Sequence, residues 1–81
     1  MSQIHQEVRT FITDQGRDLS AISDRQSLLE AGVLDSVGVL ALVAFLEQKY
    51  GIKVEDDELM PDNFDTIEAI AAFVARQRGA H

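Results

Sequence analysis

The chain of 81 residues has no cysteine and no tryptophan, a single proline, a single tyrosine and two histidines. Without cysteine there is neither a disulfide framework nor a thiolate metal site. No apolar run approaches the roughly 20 residues of a membrane span, and no charged-then-apolar leader opens the chain. A soluble, cytoplasmic protein is the expectation. The two histidines, His5 and His81, stand near the termini. A nucleophilic serine needs a positioned base, and neither a Gly-x-Ser-x-Gly elbow nor a phosphate-cradling glycine loop is present. An enzyme is therefore not expected. Bases are few as well: seven Lys and Arg against fourteen Asp and Glu leave a net charge of −7. That balance disfavours nucleic acid, whose binding rests on neutralising phosphates. It suits partners with basic surfaces, and it serves plain solubility equally well.

What is present reads as one small globular domain over residues 1–81, with 46% hydrophobic and 26% charged residues. Ile4, Val8, Phe11 and Ile12 lie on one stripe at helical spacing and predict a first helix from Ser2 to Gln15, stopped at Gly16. Residues 16–35 form a long connection. Leu19, Ile22, Leu28, Leu29, Val33 and Leu34 can turn its inner side to the core, and Ser27-Leu-Leu-Glu30 has the spacing of a capping box, closed by Gly32. A second helix is predicted from Ser36 to Tyr50, ended by Gly51, with Leu40, Val43 and Leu46, joined by Val39 and Tyr50, facing inward. Val37, Ala41, Ala44 and Phe45 make its other sides apolar too, which suits contact with a partner.

Ile52 and Val54 tuck inward. A short acidic helix is expected from Glu55 to Met60, stopped by Pro61. The last helix is expected from Thr66 to about Arg78, opened by an Asp65-Thr-Ile-Glu68 capping box and packed through Ile67, Ile70, Ala71 and Val74. The acidic run from Glu55 to Asp65 lacks the glycine that a calcium loop needs at its sixth position, so it reads as a solvated face. The sum is an all-α, small four-helix bundle of three main helices and a short third, with a long loop between helices one and two.

The stretch Gly32 to Tyr50 organises this bundle. Asp35 suits an N-cap, and Ser36 follows it into the first turn, where free N–H groups and the positive end of the helix dipole favour a phosphate. Leu34-Asp35-Ser36 at the head of an apolar helix resembles the attachment motif of acyl carrier proteins and peptidyl carrier domains. The likeness extends to Leu28-Leu-Glu-Ala-Gly-Val-Leu34 upstream and to Phe45-Leu-Glu-Gln-Lys-Tyr-Gly-Ile-Lys-Val54 and Asn63-Phe-Asp-Thr-Ile67 downstream, essentially the whole chain.

The resemblance implies 4′-phosphopantetheine carried covalently on Ser36, with Asp35 in support. It implies a phosphopantetheinyl transferase and an acyl- or aminoacyl-loading enzyme as partners, together with ketosynthase, acyltransferase or condensing enzymes. The carrier itself is a monomer without catalysis of its own. Relatives in fatty acid synthesis usually place several acids along helix two. Here Val37, Gly38, Ala41 and Ala44 stand there with Glu47 as the lone acid, while residues 55–68 hold seven acids and no base. Partner binding is therefore expected at those helix-two positions and at Glu55, Asp56, Asp57 and Glu58. This pattern is more similar to free-standing carriers of polyketide and nonribosomal peptide biosynthesis. The alternative is an unmodified helical interaction module that binds through helix two, with Ser36 merely part of its cap. Whether Phe45, Leu46, Phe64 and Phe73 fill or line a cargo cavity stays open.

Overall fold

The computed structural model describes residues 3–79; Ser2 and His81 lie outside them. Four helices follow one another: α1 (Gln3–Asp14), α2 (Ser36–Tyr50), α3 (Pro61–Phe64) and α4 (Ile67–Gly79), with a 3-10 turn at Asp56–Glu58. Among the described residues there is no strand, and no helix is long and apolar enough to cross a membrane. This is the expected all-α bundle with one long connection.

Helix α1 buries Val8 and Ile12 completely, with Ile4 and Phe11 packed alongside. It ends at Asp14, and the turn that follows closes at Gly16, whose φ of 89° is open to glycine and strained for other residues. The connection that follows is packed, as its apolar residues suggested, and Leu19, Leu28, Val33 and Leu34 are all buried. Polar anchors hold it. The Arg9 guanidinium pairs with Asp24 at 2.8 Å and donates to the backbone carbonyls of Leu19 and Ile22. Ser27 Oγ accepts from the Glu30 N–H at 3.1 Å, one half of the expected capping box.

Helix α2 has the expected bounds. Val43 and Leu46 face the core as expected, with Val39 and Tyr50 packed beside them, but Leu40 is 62% exposed and Leu42 is buried in its stead. A helix apolar on every side offers periodicity no preferred face, and tertiary packing chooses. Full burial of Leu42 and Leu46 contributes about 1.5–3 kcal/mol each. Gly51, at φ 65°, closes the helix in the left-handed conformation and donates its N–H to the Glu47 carbonyl at 3.0 Å.

Two further expectations are corrected between residues 55 and 68. Instead of one helix stopped by Pro61, there is a single 3-10 turn, and Pro61 opens α3 at its first helical position. Proline is suited to that place because the N–H it lacks would have no partner there. The last helix is likewise not opened by an Asp65–Glu68 box. Thr66 Oγ1 accepts from the Ala69 N–H at 2.9 Å, and the Asp65 side chain turns to the connection instead. Helix α4 buries Ile67, Ile70, Ala71 and Val74 as expected, and Phe73 as well.

Candidate functional site

The Asp35 backbone is extended, with φ −124° and ψ −175°. Its carbonyl accepts the first helical bond, from Val39 N–H at 2.8 Å, and its carboxylate Oδ1 accepts from Gly38 N–H at 2.7 Å. This is a complete N-cap, and it places Ser36 at the first helical position of a 15-residue helix, exposed to solvent. Helix geometry leaves the N–H groups of that turn without carbonyl partners and puts the positive end of the dipole beside Ser36. The second carboxylate oxygen of Asp35 lies 3.5 Å from Arg17 Nη2. Space at Gly38 is tight: a Cβ there would stand 3.1 Å from Leu34 Cδ1 and 3.2 Å from Asp35 Oδ1, so a larger residue asks Leu34 or the cap to shift by a few tenths of an ångström.

Ser36 opens onto an apolar groove of about 320 Å³ between α2, the connection and α3. Leu29, Leu40, Leu59 and Met60 line it beside Phe64 and Pro61. Among the described residues, those first four are also among the five large apolar side chains that the fold leaves exposed; the fifth, Val37, is 75% exposed on the first turn of α2. The groove lies at the surface, not between the buried aromatics. Phe64 and Phe73 pack against each other at 5.2 Å, Leu46 is fully buried, and Phe45 stacks on Phe11 at 4.4 Å. Sequence reading missed Leu29, Leu40, Leu59 and Met60 as site residues. Leu29 and Leu40 were expected to face the core, and Leu59 and Met60 to lie within an acidic helix.

The residues expected to meet partners separate into two groups. Val37, Ala44, Glu55, Asp56 and Asp57 are exposed, and Gly38 and Ala41 half-buried. Glu47 and Glu58 are half-buried too, and the fold uses their carboxylates. Glu47 accepts from the Val54 N–H at 2.9 Å; Glu58 accepts from the Glu55 N–H at 2.9 Å and from Gln77 Nε2. Among the described residues no group of three or more His, Asp or Glu is placed to hold a metal ion.

An exposed hydroxyl at a capped helix N-terminus, beside a surface groove, fits a phosphodiester-linked arm. Comparison with known proteins agrees, since residues 6–74 match the family described as phosphopantetheine attachment site. The chain belongs to this carrier protein family. A D-alanyl carrier protein of Streptococcus sanguinis (strain SK36) is 36% identical over 63 residues, which cover 78% of each chain. A D-alanyl carrier protein of Streptococcus pyogenes serotype M49 (strain NZ131) is 40% identical over 53 residues, 65% of this chain and 66% of that one. A protein of Serratia sp. (strain ATCC 39006) named "Probable acyl carrier protein PigG" is 28% identical over 75 residues, 93% of this chain and 84% of that one. Carrier proteins of this family hold 4′-phosphopantetheine covalently, serve biosynthetic enzymes and are in general not catalysts themselves.

Proposed function

We propose that the chain is a single carrier domain over residues 1–81 that holds its cargo on a phosphopantetheine arm at Ser36. The observation that carries this reading is the exposed Ser36 hydroxyl at the capped N-terminus of α2, on the lip of the apolar groove. In the transferase, Ser36 Oγ attacks the pantetheine-bearing phosphorus of coenzyme A and gives up its proton to the transferase or solvent; the pyrophosphate P–O bond breaks, and 3′-phosphoadenosine 5′-phosphate leaves as the phosphodiester forms. The arm's terminal thiol supplies the thioester bond that this cysteine-free chain cannot make for itself. Around that attachment the protein's own groups do three things. Asp35 fixes the first turn through the Gly38 N–H. The turn's remaining N–H groups and the helix dipole favour the new negative charge. The groove's side chains offer an apolar rest beside it.

The cargo is a small acyl or aminoacyl unit of polyketide or nonribosomal-type biosynthesis rather than of housekeeping fatty acid synthesis. One observation supports this: the exposed surface of α2 carries Val37, Leu40 and Ala44 in place of acids. The monomer meets its transferase, its loading enzyme and a ketosynthase, acyltransferase or condensing enzyme in the cytoplasm. Contact runs through the apolar rim, with Asp56 and Asp57 supplying charge nearby.

The test is intact mass after incubation with coenzyme A, magnesium and a broad-specificity phosphopantetheinyl transferase. Wild type gains one phosphopantetheine unit, and Ser36→Ala, with an unchanged circular dichroism spectrum, gains none. A loaded Ser36→Ala protein, or folded wild type that no transferase loads, overturns the reading and favours an unmodified interaction module.

A further inference from the structure

The carboxylate that the capping-box pattern assigned to the start of α4 has a different place. Asp65 Oδ1 accepts from Ser27 Oγ at 2.8 Å and from Leu29 N–H at 3.2 Å, and the Asp65 carbonyl accepts from Leu28 N–H at 2.6 Å. Ser27 Oγ meanwhile accepts from Glu30 N–H. The Leu28 peptide passes the contact on, its carbonyl accepting from Val33 N–H at 3.0 Å and Leu34 N–H at 3.3 Å. Those two amides immediately precede Asp35 and Ser36, and the Leu34 side chain packs where a Cβ on Gly38 would fall. Asp65 is also the C-cap of α3, donating its N–H to the Pro61 carbonyl at 2.9 Å. One residue thus binds the Leu29 wall and the α3 wall of the groove directly, and reaches the turn that enters α2 through the Leu28 carbonyl.

From this we infer that Asp65, with Ser27, is a positioning residue for the attachment turn. It acts through Leu28 and Leu34 to hold Ser36 in the one orientation a transferase can use. The inference rests on Ser36 as the attachment residue. Without the carboxylate, the 27–34 segment loses the bonds from Ser27 Oγ and Leu29 N–H and keeps its backbone bonds and the Ser27–Glu30 contact, and the turn before Ser36 samples conformations in which the hydroxyl is misdirected. Loading then slows by the fraction of molecules out of position. Asp65→Asn keeps an oxygen that accepts from both Ser27 and Leu29, so it restores what Asp65→Ala removes. Thr66→Ala is the matched control, because it deletes the neighbouring cap on Ala69 and leaves the Leu28 relay intact.

Two measurements test it. The first is steady-state loading by the transferase, with kcat and KM for the carrier separated, well below the unfolding temperature of each variant. Asp65→Ala is expected to lose about tenfold in kcat/KM, with Asp65→Asn and Thr66→Ala staying within about twofold of wild type. Ser27→Ala, a milder lesion, is expected to fall between and stands in for Asp65→Ala if that variant does not fold. The second is native-state amide exchange on the unloaded protein, where Leu34 and Gly38 are expected to exchange faster in Asp65→Ala than in Thr66→Ala. Equal loading in all variants, or an Asp65→Ala loss matched by Thr66→Ala, overturns the inference. So does unchanged exchange at Leu34 and Gly38. Loading of Ser36→Ala instead defeats the attachment reading, and the exchange measurement still decides whether Asp65 orders the turn.

Discussion

At the scale of single residues, the turn that presents Ser36 depends on one carboxylate with two oxygens in use. Asp35 Oδ1 caps Gly38, and Oδ2 faces Arg17. The ion pair is exposed and adds little to stability; the cap is the larger contribution. Asp35→Ala is expected to lower unfolding free energy by about 1 kcal/mol in urea titration, and Asp35→Asn, whose amide oxygen still accepts from Gly38, to stay close to wild type. If the two substitutions cost the same, the Arg17 contact outweighs the cap. Asp35 and Ser36 were legible in the sequence because cap chemistry is local: the right side chain before an apolar helical run identifies the position. Asp65 was not. Its partners are 36 and 38 residues away in the chain, and the local pattern around it matched a capping box, whereas, among the described residues, the helix is capped by the Thr66 hydroxyl alone.

At the scale of elements, α1, α4 and the ends of α2 were readable, because each shows a stripe of apolar residues or a glycine that takes positive φ. The inward face of α2 was not. Val37, Leu40, Ala41, Leu42 and Val43 are all apolar, so spacing alone could not tell Leu42, which is fully buried, from Leu40, which is 62% exposed. The exposure of Leu40 leads to an expected outcome. Leu40→Gln removes apolar surface from the groove while changing stability by no more than about 0.5 kcal/mol, as substitutions at exposed positions do. Its transfer of cargo to a cognate partner enzyme is expected to fall with the melting temperature held. Unchanged turnover would mean that partners do not read the groove. The short elements between α2 and α4 were misread for a physical reason. A proline ends one helix and begins another with the same ring, and only the chain's path decides which.

At the scale of the whole molecule, three helices are tied together at the end of α2 away from Ser36. The Tyr50 hydroxyl donates to the Glu7 carboxylate, Lys49 Nζ lies 3.4 Å from the same group, and the Arg78 guanidinium stands over the Tyr50 ring. The hydrogen bond from Tyr50 is the main cause holding Glu7 below its ordinary value of 4.5. Burial, with Glu7 beside it, pushes the Tyr50 phenol well above its ordinary range. The signs follow. Glu7 binds protons less readily when folded, so its contribution is full above pH 4.5 and is lost as pH falls through the folded value. Tyr50 gives up its proton less readily when folded, so its contribution is present below its ordinary value of 10.0 and is lost as pH rises toward the folded value. Tyr50→Phe is expected to lower the melting temperature at neutral pH and to flatten its decline at both extremes. Parallel pH profiles for variant and wild type would show that the pair does not link the helices.

The described interior contains no buried polar or charged residue. Its leucines, isoleucines and valines tolerate exchange with one another so long as volume is kept, at some loss of uniqueness, and it holds no directional polar contact that would pick one arrangement of helices over another. Discrimination among arrangements falls to the half-buried ring outside it: Arg9 with Asp24, Ser27 with Asp65, Glu47 with the Val54 amide, and Tyr50 with Glu7. For anyone redesigning this carrier, the centre is therefore the permissive part, and the identity of the fold is written in a few contacts at its margin.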